Sequence, residues 1–326
     1  MPARVLEGPQ SGVAPAAARP IPRHSPHFPH QPHLENRRRF HAGSEARPAN
    51  VVRLACCTGL PERQHLMRLQ VLSDLHLETE SFEPRPAPHA ELLVLGGDID
   101  STWRELDHFG GWPVPVIFVA GNHEFDQREL TTALPALRER CESLGVTLLE
   151  RDSCIRLDAQ GRRIRFVGTT RWSDFDLLGE AERDRAMRAA TYFVDVMRST
   201  QRGAVFDAAA VRTESLACRE WLEGELARRP EAGAEPWDAT VVITHYGPSA
   251  RSTDRRYGKQ PGSASFCNAD DDLMPGADLW IHGHLHCRHD YRVAHSNGET
   301  RVICNARGHS RKGEADGYDG LRTFEV

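Results

Sequence analysis

From Met67 onward one local pattern repeats along the chain. Short apolar runs rich in β-branched residues recur, each stopped by a polar or glycine-containing cluster. They are Leu69–Leu72, Leu92–Leu95, Val116–Ala120, Val146–Leu149, Ile164–Val167, Val241–Thr244, Leu279–Ile281 and Val302–Cys304. Four or five continuous apolar residues with such stops fit strands buried on both faces. Helical periodicity lies between some of them, at Arg128–Leu144, Glu180–Met197 and Val211–Leu226. Alternating strands and helices predict a layered α/β fold. The later strands, within 146–168 and 279–325, follow one another with little helix between, which predicts antiparallel additions and mixed sheets.

Composition divides the chain at Met67. Its 326 residues carry a net charge of −5, but residues 1–66 hold nine arginines against four glutamates, so the remainder is at −10. The first segment also has ten of the 21 prolines and no sustained apolar period. Such a stretch cannot bury enough apolar surface to offset the entropy of ordering it. It reads as a disordered basic extension to a domain at 67–326. A start codon assigned upstream of Met67 is the favoured account, and an organelle transit peptide also fits the composition. An acidic domain disfavours nucleic acid as a partner. No apolar run approaches the ~18 residues of a membrane span, and no signal-peptide pattern is present. Eight cysteines at irregular positions, without a CxxC pair, predict free thiols in a cytoplasmic protein.

The chemistry-bearing residues sit just past the predicted strand ends, where an α/β sheet opens its ligand crevice. They are Ser73-Asp74-Leu75-His76, Gly96-Gly97-Asp98, Gly121-Asn122-His123-Glu124, Thr244-His245-Tyr246 and His282-Gly283-His284-Leu285-His286. Asp-x-His alone means nothing in a chain of this composition, whereas Gly-Asn-His-Glu is expected only about 0.002 times by chance. Asp and His at i and i+2 on an extended segment project to one side. Asp74 with His76, and His284 with His286, could therefore each grip a cation. Carboxylate, imidazole and amide donors without thiolate suit Mn²⁺, Fe or Zn²⁺. A carboxylate shared by two ions holds them roughly 3.5–4 Å apart, and Asp98 is the natural bridge.

Asp-x-His, Gly-Asp, Gly-Asn-His-Glu, a strand-end His and Gly-His-x-His together resemble the signature of the calcineurin-like metallophosphoesterase superfamily, in its bacterial type. The resemblance spans essentially all of Met67–Val326. It implies an αββα sandwich of two mixed β-sheets flanked by helices. It also implies that Asp74, His76 and His286 hold one metal, that Asn122, His245 and His284 hold a second, and that Asp98 bridges them. His123 looks like the family's histidine that protonates the leaving group or steadies the phosphoryl oxygens. The implied activity is hydrolysis of a phosphomonoester or phosphodiester by a bimetal-activated water, with two divalent ions as cofactors. A small phosphorylated molecule is the expected partner, with no membrane and no obligate protein partner.

Other readings compete. Within the superfamily, cyclic-nucleotide or nucleotide pyrophosphate hydrolysis uses the same core. A non-catalytic metal-binding scaffold is the rival from another class. A lipid-linked pyrophosphatase would need an amphipathic basic helix that the sequence lacks. Arg171, Tyr246, Asn305 and Arg307 lie at strand ends and are weaker candidates for substrate contacts. Tyr246 stands where related bacterial proteins commonly carry a second histidine. His282 is expected in the core or just behind the ligands and Glu124 behind the ligands, with His89, His108, His289, His295 and His309 as surface residues. Asp270-Asp271-Asp272 reads as a solvated turn or a helix start, and substrate selection falls to the loops 175–188 and 249–272.

Overall fold

A computed structural model of the chain describes residues 66–230, 233 and 235–326. The proposed basic extension therefore lies almost entirely outside the described residues, as do Cys56 and Cys57. In chain order the strands are β1 (Arg68–Leu72), β2 (Leu92–Leu95), β3 (Val116–Phe118), β4 (Val146–Leu148), β5 (Asp152–Leu157) and β6 (Arg163–Thr169). They continue as β7 (Thr200–Gln201), β8 (Ala204–Val205), β9 (Ala239–Thr244), β10 (Leu279–His282), β11 (Arg288–His295), β12 (Gly298–Asn305) and β13 (Thr323–Glu325). The helices are α1 (Leu130–Leu144), α2 (Arg183–Met197) and α3 (Ala208–Ala227).

Two mixed sheets form the centre. One has the order β13-β1-β2-β3-β4 and the other β11-β12-β10-β9-β6-β5. The strands from the continuous apolar runs pair in parallel within each sheet. The antiparallel additions are β13 on β1, β5 on β6 and β11 on β12. Small hairpin β7-β8 stands apart.

The alternation of side chains along each strand builds three layers of core. Leu69, Val71, Leu92 and Val94 of the first sheet pack with Val241, Ile243, Leu279 and Ile281 of the second. The intervening residues face outward: Leu93, Leu95 and Phe118 pack under Leu137 of α1. On the other side Val242 and Trp280 pack under Leu222 and Leu226 of α3. Both faces of both sheets are thereby covered, which is why the strands read as unbroken apolar runs. Helix ends follow local chemistry. The Asp207 carboxylate accepts the Ala210 N–H at 2.9 Å to start α3, and Gly145, at φ 73°, closes α1.

Sheet parallelism puts the C-terminal ends of β1, β2, β3, β9 and β10 at one edge. The chain after β12 joins them there. Arg307 and Gly308 donate their N–H groups to the carbonyls of Ser73 and Asp74, each at 3.0 Å. That junction ties the C-terminal segment, 306–314, to the loop after β1.

Candidate metal centre

Seven strand-end residues converge at this edge. Ligand atoms of Asp74, His76, Asp98 and His286 lie within 4.8 Å of one another, as do those of Asp98, His245 and His284. Asp98 belongs to both groups. Asn122 joins the second, with its Oδ1 3.2 Å from His245 Nε2. Thus the structure gathers all seven residues around one buried carboxylate, and His309 lies within the same reach of His76 and His286.

The local conformation differs from the extended one expected for Asp-x-His. Asp74 and His76 have φ of 54° and 47°, and His284 and His286 have 71° and 49°. Asp98 is at 54°. Five non-glycine residues in the left-handed region at one site mark a backbone held in place by its surroundings. The pairs converge through tight turns, with Leu75 and Leu285 buried between them. Two glycines make room: a Cβ on Gly121 would strike Asp98 Oδ1, and one on Gly97, at φ 92°, would strike His245 Nδ1.

Each imidazole has one nitrogen tied outward, which leaves the other for the centre. His245 Nδ1 meets the Gly96 carbonyl at 2.8 Å and His284 Nε2 the Ser265 carbonyl at 3.1 Å. His286 Nδ1 bonds Glu314 Oε2 at 2.7 Å, and His76 Nδ1 faces Glu78 Oε1 at 3.3 Å. The inward nitrogens of His76 and His286 lie 3.0 Å apart. Asp98 Oδ1 accepts the His123 N–H at 2.9 Å, while Oδ2 is buried without a hydrogen bond, 3.2 Å from His245 Nε2. Burial raises the cost of the Asp98 charge, yet His245 and His123 beside it hold its pKa well below the ordinary value. An orphaned buried oxygen amid inward-facing imidazoles, each braced from behind, is a donor set that fits divalent cations.

His123 lies at the cavity side of this cluster. Its Nδ1 bonds Asp126 Oδ2 at 2.8 Å, so Nε2 is left for a ligand. Burial opposes its charge, but Asp98 and Asp126 outweigh that and raise its pKa to about 10.

Glu124 is a brace. Fully buried, it accepts N–H groups of Asp98 at 2.9 Å, Ile99 at 2.7 Å and Gly121 at 2.6 Å, and so staples the loop after β2 to the loop after β3. Stranding these buried donors costs about 1–3 kcal/mol each. Glu124→Ala should therefore destabilise the fold by about 3–5 kcal/mol in chemical denaturation. A loss below 1 kcal/mol would show that the staple carries no stability.

The weaker candidates part company. Tyr246 lines the cavity, its ring 4.1 Å from that of His284. Arg171 does not: it is fully buried, with Nε and Nη2 on the Asp270 carboxylate at 3.0 and 2.8 Å and Nη2 also on Asp174 at 2.8 Å. A guanidinium with such partners has no donors left for a phosphate. Asp270 is accordingly buried, whereas Asp271 and Asp272 sit exposed in the turn as expected. Asn305 Nδ2 holds the carbonyls of Val71 at 2.8 Å and Asp319 at 3.0 Å. Arg307 pairs with Glu80 at 3.0 Å. Both hold the C-terminal segment in place. His282 is buried against Ser252 at 3.0 Å, as expected of a core residue.

Three participants escape a reading by strand ends. His309, expected at the surface, stacks on His76 with ring centroids 4.4 Å apart and lies 5.1 Å from His286. Glu314 and Asp126 orient His286 and His123. Only His309 left a signal, the Gly308-His309 pair shortly after the β12 run; the carboxylates are recognisable only once folded.

The family model for the calcineurin-like phosphoesterases matches residues 67–288. Among solved structures, the chain is similar to phosphopantetheinyl hydrolase (PptH) from Mycobacterium tuberculosis. The TM-score is 0.59 at 18% identity, with 80% of this chain and 96% of that one covered. No curated protein matches. Among the described residues no helix is long and apolar enough to cross a membrane. With two mixed sheets flanked by helices and a matched segment running from β1 to the Gly-His-x-His turn, the chain belongs to the calcineurin-like phosphoesterase family, a family of metal-dependent hydrolases.

Proposed function

We propose that this protein hydrolyses a phosphomonoester or phosphodiester at a centre of two divalent ions. The observation that carries this reading is the paired donor sets sharing Asp98, with every imidazole braced from outside. Asp74, His76, Asp98 and His286 would hold one ion, and Asp98, Asn122, His245 and His284 the other. Bound there, the ions supply Lewis acidity toward phosphoryl oxygens and a nucleophile drawn from water at neutral pH. Mn²⁺, Fe and Zn²⁺ all suit these donors.

The chain's own groups supply the rest. His123 offers a protonated Nε2 on the cavity side, fixed in direction by Asp126, and donates that proton to the departing alkoxide. The His123 N–H on Asp98 Oδ1 locks the two residues at a set spacing. Neutralisation of Asp74 and Asp98 by dications leaves the acidic domain locally attractive to phosphate. The compartment proposed is the cytoplasm, with the described cysteines as free thiols.

The test is hydrolysis of p-nitrophenyl phosphate and its bis ester with Mn²⁺, extended to a phosphopantetheinyl ester, the group named for the structural neighbour. Turnover of at least one ester, abolished by chelator and restored by metal, is expected. Metal binding without turnover of any ester would favour a scaffold.

A further inference from the structure

A cavity of about 580 Å³ opens directly from the metal centre, with Asp98, Asn122, His123 and His284 at its inner end. That volume lies in the range that encloses a whole small molecule, well beyond a phosphate group. Its wall beyond the centre is mostly apolar, with Tyr192, Phe193, Tyr246, Tyr257 and Phe266 as its aromatic members. Ring contacts run outward in sequence: His284 to Phe266 at 5.0 Å, Phe266 to Phe193 at 5.1 Å, and Phe193 to Tyr192 at 5.5 Å.

Helix α2 explains the wall. Its residues 189, 192, 193, 196 and 197 follow the i, i+3, i+4, i+7, i+8 spacing of one helical face, and all five line the cavity. An apolar stripe that normally packs into a core here borders open space. Tyr192 is 70% exposed and Val196 47%, and Tyr257, also on the lining, is 63% exposed. The one arginine on the wall, Arg256, is paired with Asp254 at 2.6 Å. Thr253, Gln260, Ser263 and Lys312 are further polar groups on the lining, set within a larger apolar surface.

We infer that this cavity binds the organic portion of the substrate and that this portion is an aromatic group. The natural substrate is then a phosphate ester of a bulky aromatic alcohol, seated with phosphorus at the metals and its ring against Tyr192, Phe193 and Tyr257. The inference rests on the phosphoesterase reading above and narrows it to a substrate class. Stacking and burial of one such ring favour binding by roughly tenfold or more.

The probes are two non-hydrolysable phosphonates with the same anionic head, 2-(1-naphthyl)ethylphosphonate and propylphosphonate. They would be titrated calorimetrically into the Mn²⁺-loaded full chain. The naphthyl compound should bind at least tenfold more tightly. In the double variant Tyr192→Ser/Tyr257→Ser most of that preference should vanish, while propylphosphonate affinity stays within about twofold. Both side chains are exposed, so the melting temperature should hold. Equal affinities for the two phosphonates, or a preference that survives the double variant, would overturn the inference and leave the phosphoesterase reading intact. If the wild type is dimeric, the variant monomeric and the ring preference absent, the face belongs to self-association, which also overturns it. Failure of both phosphonates to bind, together with no turnover of nitrophenyl esters, would remove both readings.

Discussion

Asp98→Asn should lower kcat by at least about 10³-fold while the protein keeps its fold. The asparagine is isosteric and its Oδ1 can still accept the His123 N–H that Asp98 accepts at 2.9 Å. What disappears is the negative charge at the residue that links the group of Asp74, His76 and His286 with the group of His245 and His284. A neutral amide is a poor bridge between two dications, and each tenfold loss corresponds to about 1.4 kcal/mol of transition-state stabilisation. Metal analysis of the variant should find the occupancy of at least one ion reduced. Retention of more than a tenth of wild-type turnover would mean that Asp98 does not hold the ions together.

His123→Ala separates chemistry from assembly. The residue belongs to neither donor group, so metal content should stay at the wild-type value. General acid catalysis typically contributes 10²–10⁴-fold. Its worth depends on how badly the leaving group needs a proton. Turnover of an alkyl phosphate ester should fall by about 10³-fold, and that of a p-nitrophenyl ester by tenfold or less. Equal losses for both would assign His123 to orienting or neutralising the phosphoryl oxygens and sink its role as acid. Asp126→Asn, acting through His123, should show a smaller version of the same split.

How much of this was legible in the sequence follows from what each feature depends on. Strands such as β2 and β9 were readable because both faces are covered, which leaves an unbroken apolar run. Strands β5, β11 and β13 were readable only as antiparallel additions somewhere within 146–168 and 279–325, without positions. Each is an antiparallel addition at a sheet edge, and β5 is half-buried or exposed along its whole length, so its polar sequence carries no run. The seven strand-end residues were readable because turns after parallel strands all point to one crevice. Their left-handed backbone was not, because surrounding hydrogen bonds impose it against the usual preference. Arg171 shows the limit of that rule. Its place after β6 suggested the crevice, but Asp270, ninety-nine residues further along, takes its guanidinium into the interior. His309, Glu314 and Asp126 depend likewise on how distant or flanking segments fold back. The apolar stripe of α2 was visible as a helix, but only the folded chain shows it bordering a cavity.

If Asp98 organises the two-ion hydrolytic centre proposed above, counting metal in the chelator-stripped, Mn²⁺-reconstituted wild-type protein while following ester hydrolysis will show it. Two ions per chain, with activity rising as the second site fills, is the result predicted. A single ion per chain at full activity, or hydrolysis that continues in the stripped protein, would contradict it.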